Sequence, residues 1–126
     1  MMEAPLFAFA YAGSPAQPAG DDMQLFDLAR HLIKNPGQTM FVRVCGDSMT
    51  GRQVFDGDIL IVDRKAQPRN NDVVIAQTED GFTVKTFERG DGYLRLVPAD
   101  PESSEIPVTE NTRICGVVQF AIHRLS

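Results

Sequence analysis

From Gln38 to His123 the chain is a succession of short apolar, β-branched runs, each closed by a turn made from Gly, Asp or Asn. Residues 40–44, 59–63, 73–78, 83–88, 93–97, 105–108 and 114–123 have the length and the Val, Ile, Phe and Tyr content of strands. The separators include Asp56-Gly57-Asp58, Arg69-Asn70-Asn71-Asp72, Glu79-Asp80-Gly81 and Gly90-Asp91-Gly92. Their carboxylates and amides cap turns, and their glycines accept backbone angles that other residues resist. Asp80-Gly81 between two apolar runs is a hairpin signal, so 73–78 should pair with 83–88. Short strands at this spacing predict a mainly β fold, a curled antiparallel sheet or partly open barrel.

One helix is expected ahead of the sheet. Asp21 or Asp22 offers an N-cap, Leu25, Leu28, Ala29 and Leu32 recur at i, i+3, i+4 and i+7, and Asn35-Pro36-Gly37 stops the run, so the spacing predicts a helix over 21–34. Residues 1–20 are rich in Ala, Pro, Gly and Phe and are interrupted by Pro5, Pro15 and Pro18. No period persists through them, which reads as a mobile or extended arm. The organisation expected from 126 residues is one domain, 21–126, preceded by that arm.

Composition excludes several functions. A formal net charge of −5 opposes direct binding to a phosphate backbone, because duplex affinity rests on Lys and Arg releasing counterions. Any link to DNA should therefore run through another protein. No apolar run approaches the roughly 18 residues of a membrane span, and the N-terminus lacks a basic, then apolar, leader; a cytoplasmic location is expected. Cys45 and Cys115 form neither a metal signature nor a disulfide framework, and both are expected to be buried free thiols. Asp47, Asp56, Asp58 and Asp63 lie beside glycines or at strand ends, where a carboxylate caps a turn, so no metal is expected; no nucleotide-binding glycine fingerprint or other cofactor motif occurs either. His123 has no acidic neighbour in sequence to mark it as a triad histidine.

Two residues stand out from this background: Ser48, in Cys45-Gly46-Asp47-Ser48-Met49, and Lys85, in Phe82-Thr83-Val84-Lys85-Thr86-Phe87. A serine hydroxyl attacks a carbonyl only when a neighbouring group takes its proton. Lysine does so only when neutral, and at its ordinary pKa of about 10.4 that state lies roughly 4 to 5 kcal/mol uphill at pH 7. Burial lowers this cost by disfavouring the ammonium. A lysine within an otherwise apolar or hydroxylated strand is suited to that environment.

The run Phe41-Val42-Arg43-Val44-Cys45-Gly46-Asp47-Ser48-Met49, then Asp56-Gly57-Asp58-Ile59-Leu60-Ile61-Val62-Asp63, Asp72-Val73-Val74-Ile75-Ala76 and Phe82-Thr83-Val84-Lys85 resembles the LexA/UmuD family of self-cleaving serine-lysine peptidases. The resemblance extends from about Ala10 to Arg124. It implies the sheet of the LexA C-terminal and signal-peptidase type, with Ser48 as nucleophile and Lys85 as base. It also implies an oxyanion hole from the backbone N–H groups of Asp47 and Ser48, and it places Met49 in the cleft wall.

The family cuts its own N-terminal arm at an Ala-Gly or Cys-Gly bond. Of Ala12-Gly13 and Ala19-Gly20, the first is expected here, because Gly13-Ser14-Pro15-Ala16 resembles the glycine, proline and alanine downstream of the family's cut and Ala19-Gly20 abuts the predicted helix. The implied partners are a second copy of the chain, a RecA filament on single-stranded DNA that stimulates cleavage after damage, a UmuC-type translesion polymerase and the replicative sliding clamp. A repressor's helix-turn-helix is not expected in the residues before Asp21. A repressor-like or processing relative, and a non-enzymatic interaction module on the same fold, are the alternative readings. Gly51-Arg52-Gln53 departs from the more acidic and glycine-rich turn of the family.

Overall fold

A computed structural model describes residues 3–5, 8–11, 14–18, 25–100 and 105–126. Contacts divide the chain into Met1–Lys34 and Asn35–Ser126. In the first unit β1 (Glu3–Pro5) pairs antiparallel with β4 (Leu25–Asp27), and β2 (Ala8–Tyr11) pairs with β3 (Ser14–Pro18). The helix α1 is Leu28–Leu32.

The helix expected over 21–34 is thus corrected to five residues. Leu25–Asp27 takes ladder hydrogen bonds from Glu3–Pro5 instead. A first helical turn fixes several dihedrals for one hydrogen bond, so a short amphipathic run yields its leading residues where a partner strand is at hand. The proposed caps Asp21 and Asp22 lie outside the described residues.

The second unit carries the expected strands: β5 (Thr39–Arg43), β6 (Ile59–Asp63), β7 (Val73–Thr78), β8 (Gly81–Gly90), β9 (Tyr93–Val97), β10 (Ile106–Pro107) and β11 (Arg113–Ile122). They form one antiparallel sheet in the order β10-β9-β8-β7-β11-β6-β5, with β10 and β5 as its two edges. The sheet is therefore not closed. The β7–β8 hairpin has the expected register, Val73 opposite Thr86 through Thr78 opposite Gly81, and Gly81 at φ +113° makes the turn that other residues resist.

The last strand is the one that departs from chain order, inserting between β7 and β6. Its register shifts against β7 between Ile114 and Gly116, and against β6 between Val118 and Phe120. Such irregularities bend a strand and increase its twist, which curls a sheet. At Gly116 a Cβ would stand 2.6 Å from Val62 Cγ1, so the close approach of β11 to β6 requires glycine. Alternation then gives the sheet an apolar core on each face: Val44, Met49, Val54, Leu60, Val62 and Ile75 form one cluster, Val74, Ala76, Phe87, Leu96 and Val117 the other. The first cluster underlies the candidate site.

Candidate active site

Ser48 sits in the loop from β5 to β6, and that loop is fixed from several directions. Gly46, at φ +99°, turns the chain out of β5, and its N–H donates to Asp56 Oδ1 at 2.8 Å. Val44 N–H donates to Asp58 O, and Gly57 N–H donates back to Val44 O, both at 2.9 Å. Beyond the serine, Thr50–Arg52 forms a 3-10 turn closed by Gln53 in the left-handed region at φ +61°. Met49, 2% exposed, and Val54, 4% exposed, anchor this segment in the core. Ser48 O accepts from Ala99 N–H at 2.8 Å and Asp100 N–H at 3.0 Å, tying the loop to the segment after β9.

Lys85 comes from the middle of β8 and is 7% exposed. Its Nζ lies 3.0 Å from Ser48 Oγ. Desolvation lowers its pKa below the ordinary lysine value, and among the described residues no carboxylate forms an ion pair with it. The ammonium donates to Ser48 Oγ; once neutral, the same nitrogen presents a lone pair to the hydroxyl proton. The backbone N–H groups of Asp47 and Ser48 donate no hydrogen bond among the described residues.

A cleft of about 230 Å³ opens beside the hydroxyl, between the end of β5 (Val42 and Arg43) and the start of β8 (Phe82, Thr83 and Val84). Ser48, Met49 and Cys45 line it, so Met49 is both cleft wall and core residue. Phe82, 71% exposed, stands at its rim. Lys85 is not among the lining residues.

The structure brings together Ser48, Lys85, Asp47 and Met49. Ala12 and Gly13 lie outside the described residues. The two cysteines are free as expected, but neither is fully buried: Cys115 is half-buried and Cys45 is exposed. It falls just beyond the last residue of β5, where the turn lifts it from the core into the cleft lip. Three of the four carboxylates cap turns: Asp56 at Gly46, Asp58 Oδ2 accepting from Phe55 N–H and Asp63 Oδ1 from Lys65 N–H, the latter two at 2.9 Å; the Asp47 carboxylate accepts no hydrogen bond among the described residues. His123 acquires an acidic partner that sequence did not reveal, with Nδ1 2.8 Å from Asp58 Oδ1. Sequence reasoning also missed the bracing by Ala99 and Asp100, and the two hydrogen bonds of Arg52, because these join segments remote in the chain.

The site thus sets a serine hydroxyl against a desolvated amine, beside a cleft bounded by two strands. Comparison with known proteins agrees at the level of family. Residues 5–119 match the Peptidase S24-like family. Protein ImpA of Salmonella typhimurium is 39% identical over an alignment covering 95% of this chain and 83% of the relative. Protein SamA of the same species is 36% identical, covering 96% and 86%. The LexA repressor of Acetivibrio thermocellus is 34% identical, covering 94% of this chain and 55% of that protein. The chain belongs to the Peptidase S24-like family, and the resemblance drawn from its motifs is borne out.

Proposed function

We propose that the protein cleaves its own N-terminal arm between Ala12 and Gly13, using Ser48 as nucleophile and Lys85 as general base. The observation that carries this reading is the 3.0 Å approach of Lys85 Nζ to Ser48 Oγ, with the amine desolvated and the hydroxyl at a cleft. Neutral Lys85 takes the Ser48 proton as Oγ attacks the Ala12 carbonyl. The tetrahedral oxyanion is met by the N–H groups of Asp47 and Ser48; such donors contribute about 10²- to 10³-fold. Lys85 then gives its proton to the departing Gly13 amine, and water hydrolyses the Ala12 ester on Ser48. The small side chains of Ala12 and Gly13 suit a narrow cleft.

The LexA/UmuD resemblance supplies the biological setting. Cleavage is stimulated by a RecA filament on single-stranded DNA, and the product, residues 13–126, serves as a homodimeric accessory subunit of a UmuC-type translesion polymerase, within reach of the sliding clamp in the cytoplasm. The acidic charge of −5 supports contact with DNA through such partners rather than directly.

Intact-mass measurement tests the reading. Purified protein is incubated at about pH 7.5 and about pH 10 beside Ser48→Ala, since a lysine base works faster as pH rises. A new N-terminus at Gly13 in the wild type alone is expected. If neither condition cuts, the incubation is repeated with RecA, ATP and single-stranded DNA. A chain still intact there is an interaction module, not a peptidase.

A further inference from the structure

We propose that Arg52 is a positioning residue: its guanidinium clamps the Ser48 loop to the strand that carries Lys85 and so holds the hydroxyl at hydrogen-bond distance from the amine. The inference rests on the serine-lysine reading and goes beyond it, because Arg52 takes no part in the proposed proton transfers.

Arg52 ends the 3-10 turn that follows Ser48. Its Nη1 donates to Thr86 Oγ1 at 3.0 Å, and its Nη2 donates to Asn71 O at 3.0 Å. Thr86 is the residue after Lys85 and is buried, so the first bond ends on the side-chain hydroxyl of the residue next to Lys85. Asn71 leads to the same strand by another route. Its N–H donates to Phe87 O at 2.7 Å, and Phe87 N–H donates to Asp72 O at 2.8 Å. One arm of the guanidinium therefore ends on β8 itself, at Thr86, and the other on Asn71, which is bonded in turn to Phe87 of β8. The chain from Ser48 to Arg52, across to Thr86, back to Lys85 and over to Ser48 Oγ is a closed circuit.

Nothing else described on this side of the loop reaches β8 by a side-chain hydrogen bond except Lys85 itself. The remaining ties of the loop run to Asp56, to Asp58 and to the Ala99–Asp100 backbone. Those ties fix the loop to its own base and to the segment after β9, and Met49 and Val54 pack it into the core beside Val84; the directional contacts that set its alignment on β8 are the hydrogen bonds of Arg52. Arginine suits the task because its planar fork meets two acceptors at fixed separation, whereas an ammonium is a single point. A misplacement of about 1 Å between reacting groups costs on the order of 10²-fold in rate. Arg52 itself is exposed, so its loss removes alignment without opening the core.

The test compares Arg52→Met, Arg52→Lys, Thr86→Val and the double variant Arg52→Met/Thr86→Val by self-cleavage rate across pH, melting temperature and hydrogen exchange of residues 47–53. Arg52→Met should lower the alkaline plateau by about 10-fold or more while leaving the pH midpoint in place. Melting should stay within a few degrees of the wild type. The double variant should cut no more slowly than Arg52→Met, because the contact that Thr86→Val breaks is one that Arg52→Met has already removed, and Arg52→Lys should remain impaired. A wild-type plateau in Arg52→Met, a wild-type rate in Arg52→Lys, a shifted midpoint, multiplying losses in the double variant, or a rate loss matched by a large fall in melting temperature would each overturn the proposal. If the wild type never cuts, the peptidase reading fails and exchange decides Arg52 separately. Faster exchange at the Thr50 and Gln53 amides in Arg52→Met, by about 10-fold, upholds the clamp, and unchanged exchange removes it.

Discussion

Lys85 Nζ meets Ser48 Oγ at 3.0 Å across 37 residues of chain, and it does so from a strand position only 7% exposed. Burial lowers the lysine pKa, so the neutral amine becomes available at a lower pH than for a lysine in water. Self-cleavage should therefore accelerate from about pH 7 and level off before the ordinary lysine value of about 10.4. Ser48→Ala and Lys85→Ala should each reduce processing by at least about 10³-fold while remaining folded. Rate against pH, with circular dichroism of the variants, checks this. A rate independent of pH would assign the proton to some other group.

The same burial has a consequence for stability. Lys85 has a lower pKa folded than unfolded, so between the two values the unfolded chain binds more protons. Stability then rises with pH across that window, which ends near the ordinary lysine value of about 10.4. Below the folded pKa the lysine is charged in both states and its burial is a fixed cost. Lys85→Met keeps the stem and removes the titration. Denaturant melts of this variant should show a higher neutral-pH midpoint than the wild type and a smaller rise on going to alkaline pH.

Much of this architecture was legible because strands and turns are local. Ile59–Asp63, Val73–Thr78 and Tyr93–Val97 have the bounds their composition predicts, and Asp80-Gly81 marked the hairpin and its register. Ser48 and Lys85 were legible through the family's motif run. The short helix was not, because a 3.6-residue period describes a helix's face and says nothing of a competing strand such as Glu3–Pro5. Cys45 was misplaced for a related reason: strand composition does not show where the chain leaves the sheet, and here β5 ends at Arg43, with Val44 still buried and Cys45 turned out. The bonds of Arg52 span 34 and 19 residues and that of His123 spans 65, and no local pattern encodes such separations.

Gly51 tests the other side of the nucleophile loop. A Cβ there would stand 2.7 Å from Ala99 O and 3.1 Å from Ala99 Cβ, against a backbone segment that is itself bonded to Ser48 O. Neither neighbour is the end of a flexible side chain, so the loop or the Ala99–Asp100 segment must move. Gly51→Ala should cost about 1–3 kcal/mol in stability, as overpacking does. It should also slow the proposed cleavage by more than that loss explains, since the displaced Ala99 segment is the one that holds Ser48 O. Equal melting and equal rate would show that the segment after β9 yields freely.

Asp58 is the most deeply buried carboxylate described, 2% exposed, and it has two side-chain partners: Phe55 N–H to Oδ2 and His123 Nδ1 to Oδ1. Its backbone carbonyl also receives Val44 N–H, so it holds the base of the Ser48 loop while the histidine ties it to the segment after β11. The two partners differ in what their loss exposes. Asp58→Ala leaves the Phe55 N–H without its acceptor and should cost about 1–3 kcal/mol. The His123 side chain is 42% exposed, and its ring packs against Phe55 in a tilted arrangement, 4.8 Å between centroids. Its removal lets water reach Asp58 Oδ1 in its place, so His123→Ala should cost less than Asp58→Ala. Because they share one contact, the double variant should be little less stable than Asp58→Ala alone. Urea unfolding of the three variants measures the coupling, and fully additive losses would mean that the histidine packs against Phe55 without supporting the carboxylate.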